Sequence, residues 1–171
     1  MAYNKKILNT ILLTVALIAG GCSYSFTGAS VPPHLQTISI PTIEDRSGKA
    51  EPNLGERLTT LLIEKFTYDN TLQVTNSSNP DCILEAAITS LTDELSVVSG
   101  NETAMTQRIT INVKVVYRDL IKKKKIFERN FSQYSDYETD GADLIAARNN
   151  AIEQVLDFIA DDILLAVVSN W

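Results

Sequence analysis

The 171-residue chain is poor in the residues on which most recognisable chemistry depends. It has one histidine, two cysteines and one tryptophan. A single His and two Cys exclude a His/Cys zinc cluster and a disulfide-stapled miniprotein. A histidine-dependent triad would have to use His34, beside which no nucleophile and orienting partner can be named, so a structural or exposed imidazole is expected. No GxxxxGK[ST] or GxGxxG loop is present to cradle a phosphate. No GxSxG elbow is present either. The adjacent acids Glu44-Asp45 and Asp161-Asp162 read as solvated carboxylates rather than a hydrolytic pair. Neither an enzyme nor a cofactor is expected.

Long apolar runs are also missing. The longest, Ile7 to Ile18, is interrupted by Asn9, Thr10 and Thr14 and falls short of the roughly 20 residues a spanning helix needs. It follows Lys5 and Lys6 and precedes Ala19-Gly20-Gly21, the layout of a removable export signal. Ala19-Gly20-Gly21-Cys22 resembles the bacterial lipobox, with Ala19 where that pattern usually has Leu. The resemblance implies cleavage after residue 21 and acylation of Cys22. Ser23, in place of Asp, points to the outer membrane. Acyl chains on Cys22 would meet the two-signal requirement for stable anchoring. The expected division is therefore a signal peptide over 1–21, a lipidated tether over 22–33, and one domain over 34–171.

Basic residues are outnumbered, 15 Lys and Arg against 21 Asp and Glu, for a net charge of −6. Loss of Lys5 and Lys6 with the signal makes the mature chain more acidic still. Such a domain is not a nucleic-acid binder. Cys82, beside Ile83 and Leu84, reads as a buried, inert thiol.

What is present is alternation and amphipathicity. Leu35 to Pro41 alternates as a strand, and Thr42 to Pro52 is a polar loop. Asn53 and Glu56 form a capping-box-like pair ahead of a helix carrying Leu54, Leu58, Leu61, Leu62 and Phe66 and ending near Asp69-Asn70. Leu72 to Thr75 allows a short strand. Cys82 to Val98 is extended but changes phase, Leu84, Ala86 and Ile88 having one parity and Leu91 and Leu95 the other, so a bulge is expected near Thr89-Ser90. Thr106 to Arg118 alternates most clearly, with Ile109, Ile111, Val113, Val115 and Tyr117 on one side and Arg108, Thr110, Asn112 and Lys114 on the other. Asp119 to Lys125 makes a turn, and Ile126 to Tyr137 returns with Phe127, Phe131 and Tyr137 on one face. Asp140 to Asp143 opens a final helix with an apolar stripe of Ile152, Val155, Leu156, Ile159, Ile163, Ala166 and Val167. The expected fold is α+β: a single two-layer sandwich of about four mostly antiparallel strands, with two helices packed on one face.

In order and spacing this chain resembles the LPS-assembly lipoprotein LptE family. The residues that carry the resemblance are Cys22-Ser23-Tyr24-Ser25-Phe26-Thr27-Gly28, the strand TISIP over 37–41, and Asn53-Leu54-Gly55-Glu56-Arg57-Leu58-Thr59. They continue in Pro80-Asp81-Cys82-Ile83-Leu84, the 106–137 hairpin, and the closing Ser169-Asn170-Trp171. The resemblance implies a non-enzymatic outer-membrane lipoprotein on the periplasmic side that assembles with and plugs an LptD-type β-barrel and assists LPS transport to the surface. LPS carries phosphates, so Lys122, Lys123, Lys124 and Lys125 are candidate LPS or barrel contacts, with Arg108 and Lys114 second. The same run also reads as a solvated turn that discourages edge pairing. The rival reading is another outer-membrane-anchored binding lipoprotein, such as a cell-wall synthase activator. A tether of residues 23–33 reaches under about 40 Å, which suits a membrane-protein partner better.

The lipobox assignment makes Cys22→Ser the first test. Metabolic palmitate labelling of the chain in bacteria should be abolished and the uncleaved precursor should accumulate. Labelling that survives the change would show that Cys22 is not the acceptor.

Overall fold

The computed structural model describes residues 31–49, 51–96, 106–139 and 143–169. Where the sequence alternates, it forms strands. β1 is Thr37–Ser39, β2 is Glu44–Asp45 and β3 is Gln73–Val74. The three long strands are β4, Cys82–Ser96, β5, Thr106–Asp119, and β6, Lys124–Glu138. Helix α1 spans Leu54–Asp69 and α2 spans Leu144–Ser169.

The sheet has six strands in the order β3-β1-β4-β5-β6, with β2 also beside β4. β4, β5 and β6 are antiparallel neighbours. β1 runs parallel to β3 and β4, and β2 runs parallel to β4. The expected four-stranded, mostly antiparallel sheet is thus a mixed, six-stranded one. The excess comes from β2 and β3, each two residues long. β2 lies within the stretch read as a polar loop, and its Glu44 and Asp45 are both exposed, so no hydrophobic alternation marks it. Backbone pairing alone makes it a strand, continued by the Arg46 N–H donating to the Ile88 carbonyl at 2.9 Å. β1 and β2 follow the same edge of β4, Ser39 opposite Ile83 and Glu44 opposite Ala87. Pro41 lies between them and has no N–H for the ladder.

The phase change in β4 is resolved as its pattern demands. The register with β5 slips between Ile88 and Ser90, and Ile88 and Leu91 are both buried. Leu95, of the same parity as Leu91, does not join the core and is 68% exposed. The inward residues of β5, from Ile109 to Tyr117, are all buried, and so is the whole predicted stripe of α2. They share one core with Leu54, Leu58, Leu62 and Phe66 of α1. Burying each such side chain contributes roughly 1.5–3 kcal/mol.

Polar contacts fix α2 to the inner side of β6: Gln133 donates to Asp162 at 2.6 Å and Ser135 to Gln154 at 2.6 Å. Arg57 pairs with Glu153 at 2.7 Å, and Lys65 with Asp157 at 2.8 Å and Asp161 at 2.6 Å, joining the two helices. Both helices therefore cover one face, and the opposite face is open.

The start of α1 departs from expectation. Asn53 has φ of 53°, in the left-handed region, and makes no side-chain capping bond; its carbonyl instead accepts from the Arg57 N–H at 2.9 Å. The helix is held from the side. Thr59 Oγ1 accepts from the Ile43 N–H at 2.9 Å and donates to the Gly55 carbonyl at 2.7 Å. A β-carbon at Gly55 would collide with the Ile43 carbonyl oxygen, so the helix and the β1–β2 connection approach backbone to backbone. At the start of α2, Asp143 Oδ1 accepts from the Ala146 N–H at 3.0 Å and acts as the cap.

Gly55→Ala should therefore force α1 away from Ile43 and cost about 1–3 kcal/mol. The thermal midpoint of the purified variant measures this. A midpoint equal to that of the native chain would show that the contact yields freely.

Candidate functional site

The β5–β6 hairpin ends in a turn that begins at Asp119, whose side chain is buried at 4% exposure. Asp119 Oδ2 meets His34 Nε2 at 2.8 Å, and Oδ1 accepts from the Lys122 N–H at 2.8 Å. Burial disfavours its charge. The His34 hydrogen bond and the Lys122 and Ile121 amides outweigh that and hold the carboxyl below the usual carboxylate range. The Leu120 N–H donates to the Asp81 carbonyl at 2.9 Å. Asp81 itself accepts from the Gln36 N–H at 3.0 Å and the Thr37 N–H at 2.9 Å. Lys123 adopts φ of 52°, the left-handed turn residue. The tip is thus built onto the segment 34–37 by two aspartates, and His34 is a structural partner there.

Two of the four lysines lie outside the turn: Lys124 and Lys125 open β6, opposite Asp119 and Arg118. Their charges meet different fates. Lys125 Nζ pairs with Glu128 at 2.6 Å, and the other Glu128 oxygen takes Lys114 at 2.6 Å. Between them Lys114 and Lys125 hold the Glu128 carboxyl at about 2. Arg108 pairs with Asp136 through Nε at 2.7 Å and Nη2 at 2.8 Å. Its guanidinium also lies 4.0 Å from the centre of the Tyr134 ring. Arg118 pairs with Glu85 at 3.0 Å. Lys122, Lys123 and Lys124 are exposed and make no ion pair among the described residues.

The six candidate cations therefore do not form one site. Three stand at the tip with uncommitted charge, and three are bound into ion pairs across the open face. The sequence did not mark Glu128 and Asp136 as their partners: cross-strand register places Asp136 directly opposite Arg108, whereas Glu128, opposite Val116, reaches Lys114 diagonally. Nor did it mark Asp119 and His34, 85 residues apart, which only the tertiary fold brings together.

Cys82 Sγ is buried, accepts from Tyr117 Oη at 3.2 Å and lies 3.3 Å from the Thr37 carbonyl. Burial pushes its thiol up to about 11, so it is protonated at neutral pH. Asp161 and Asp162, adjacent in sequence, face Lys65 and Gln133 respectively. Among the described residues no group of His, Cys, Asp and Glu is placed to hold a metal ion, and no helix is long and apolar enough to cross a membrane. Cys22, the signal segment and most of the tether lie outside the described residues.

The tip's order should depend on Asp119. Asp119→Ala removes acceptors for His34 and the Lys122 amide and should cost about 1–3 kcal/mol. Amide hydrogen exchange at Lys122 should accelerate well beyond that in β4. Unchanged protection at Lys122 would show that the turn holds itself.

A model of the LptE family, described as lipopolysaccharide-assembly, matches residues 35–167. No curated protein matches the sequence. Several solved structures share the fold. Rare lipoprotein B from Shewanella oneidensis is 18% identical with a TM-score of 0.51, over 77% of this chain and 92% of that one. A protein from Helicobacter pylori described as a neuraminyllactose-binding hemagglutinin homolog is 9% identical with a TM-score of 0.57, over 84% and 91%. A hypothetical protein from Chlamydia trachomatis is 10% identical with a TM-score of 0.54, over 80% and 99%. At these identities the structures speak for the fold alone. The family model, spanning the domain from before β1 almost to the end of α2, establishes that the chain belongs to the LptE family of lipopolysaccharide-assembly proteins.

Proposed function

We propose that the chain is an outer-membrane lipoprotein, cut after residue 21 and anchored through Cys22 on the periplasmic side. It assembles with and plugs an LptD-type β-barrel and assists LPS on its way to the cell surface. The family match over residues 35–167 carries this reading. The role asks for binding surfaces rather than catalytic groups.

Two physical features support it. The lumen of an outer-membrane barrel is polar, and a plug needs a surface that such a lumen accepts. The open face of the sheet is of that kind. Thr92, Thr110 and Asn112 lie among the pairs Arg108–Asp136, Lys114–Glu128 and Arg118–Glu85, while the inward residues of β4 and β5 are hidden beneath the helices. The second feature is the tip, where Lys123, Lys124 and Lys125 line a shallow concavity with Arg118, Asp119 and Leu120. Lys122, Lys123 and Lys124 offer ammonium groups to the phosphates of LPS without first breaking an ion pair. Lys114, Lys125 and Arg108 would have to exchange a carboxylate partner, which makes them better suited to contact with the barrel wall.

Co-expression with an LptD-type barrel and detergent extraction of the outer membrane tests the reading. The chain should co-elute with the barrel. Joint replacement of Lys122, Lys123 and Lys124 by Gln should preserve folding and co-elution but weaken LPS binding. The remaining affinity should also be less sensitive to salt, because exposed charges are screened beyond about 8 Å at physiological ionic strength. A chain that elutes alone from a membrane containing the barrel would contradict the proposal.

A further inference from the structure

β6 ends the sheet on one side. It pairs with β5 alone, and no other backbone bond to it is made among the described residues. The N–H and C=O groups that point away from β5 are therefore left for water or for another strand. Natural edges are commonly blunted by charges, proline or bulges. Here Lys124, Lys125 and the extra residue Ile126 do so next to the turn. Farther along, Asn130 to Ser135 (NFSQYS) carries no charge, proline or glycine, and a second strand could join it.

Helix α2 adds an apolar wall along this edge. Asp157 and Asp161 mark the flank of α2 that faces Lys65 of α1. Gln154 and Asp162 mark the other flank, bonded to Ser135 and Gln133 of β6. Phe158 lies four residues from each of the latter two and shares their flank, and Leu165 continues it by one more turn. Neither joins the core: Phe158 is 41% and Leu165 57% exposed. On β6 beneath them Phe131 is only partly buried. Arg129 is exposed, makes no ion pair among the described residues, and lies 5.2 Å from the centre of the Phe127 ring.

We propose that the outer edge of β6 takes up an extended segment of the barrel partner as a seventh strand. The inference rests on the reading of the chain as a barrel plug and names where one segment of that barrel binds. Backbone pairing supplies the affinity, and alternate side chains supply the choice of segment. Those on the helix side are apolar and rest on Phe158, Leu165 and Phe131. Those on the other side are polar and extend the row of Asn130, Ser132 and Tyr134. An acid on the segment meets Arg129, the uncommitted charge of this edge. A second copy of the chain fits less well. Paired antiparallel about Ser132 or Gln133, it would set Glu128 opposite Asp136 or Glu138, with like charges facing one another.

The test uses the acylated full chain, alone and in complex with an LptD-type barrel, with hydrogen exchange read amide by amide. In the chain alone, exchange from Asn130 to Ser135 should alternate, slow where an amide donates to β5 and fast where it points outward. In the complex the fast set should slow by about tenfold or more. Joint Phe158→Ser and Leu165→Ser, at exposed positions, should leave the thermal midpoint nearly unchanged and weaken barrel binding about tenfold. Arg129→Glu should weaken it in a way that added salt relieves. A chain that co-elutes with the barrel while its outward amides stay fast overturns the edge contact and leaves the plug standing. A chain that forms no complex overturns both. Outward amides already slow in the chain alone overturn the assignment to the barrel, in favour of a second copy if light scattering gives a dimer and of the chain's own segment if it gives a monomer. Amides that slow in a complex neither variant weakens overturn the roles of Phe158, Leu165 and Arg129.

Discussion

The strict alternation of β5 is the constraint on which the rest of the molecule depends. Ile109, Ile111, Val113, Val115 and Tyr117 are fully buried, and a slip of one residue would turn all five to water. That cost fixes the register of β4 on one side and β6 on the other, bulge included. It also fixes which face α1 and α2 cover. The remaining parity of the same strands is mostly polar and forms the open, ion-paired face. One pattern thus yields both a core and a surface from which the core is hidden.

The hairpin tip follows from the same frame. β5 and β6 stay paired up to the turn, through a register shift between Tyr117 and Arg118 that leaves Ile126 as the extra residue, so the turn between them is a defined projection rather than a loose loop. Asp119 turns that projection into a part of the fold by taking His34 on one oxygen and the Lys122 amide on the other. A buried carboxylate with such partners keeps its charge and strengthens the bonds it accepts. The neighbouring cations divide accordingly: Glu128 absorbs Lys114 and Lys125 on the open face, and Lys122, Lys123 and Lys124 make no ion pair among the described residues.

Much of this was legible in the sequence because it is written in periodicity. The inward set of β5, the bulge at Thr89, the stripe of α2 and the end of α1 at Asp69 are each consequences of local pattern. What was not legible has a different physical origin. β2 is made by backbone pairing of two exposed acids, with no side-chain signature. Asn53 looks like a cap because its side chain suits that role, yet the fold places it in the left-handed region, and Gly55 and Thr59 secure the helix against Ile43. The basic run looked like one patch of four. Only cross-strand geometry shows that Lys125 is committed to Glu128 while Lys122, Lys123 and Lys124 are not, and only the tertiary fold brings His34 to the base of the turn.

On the proposed function, the open face of the sheet meets the wall of a barrel. A photo-crosslinking residue at Thr110, in the middle of that face, tests it most directly in cells that produce the chain with its LptD-type barrel. The account predicts a covalent adduct of the chain with the barrel from Thr110, and none from Ser77 in the exposed turn before β4. Abundant, membrane-bound chain that gives no barrel adduct from Thr110 would contradict it.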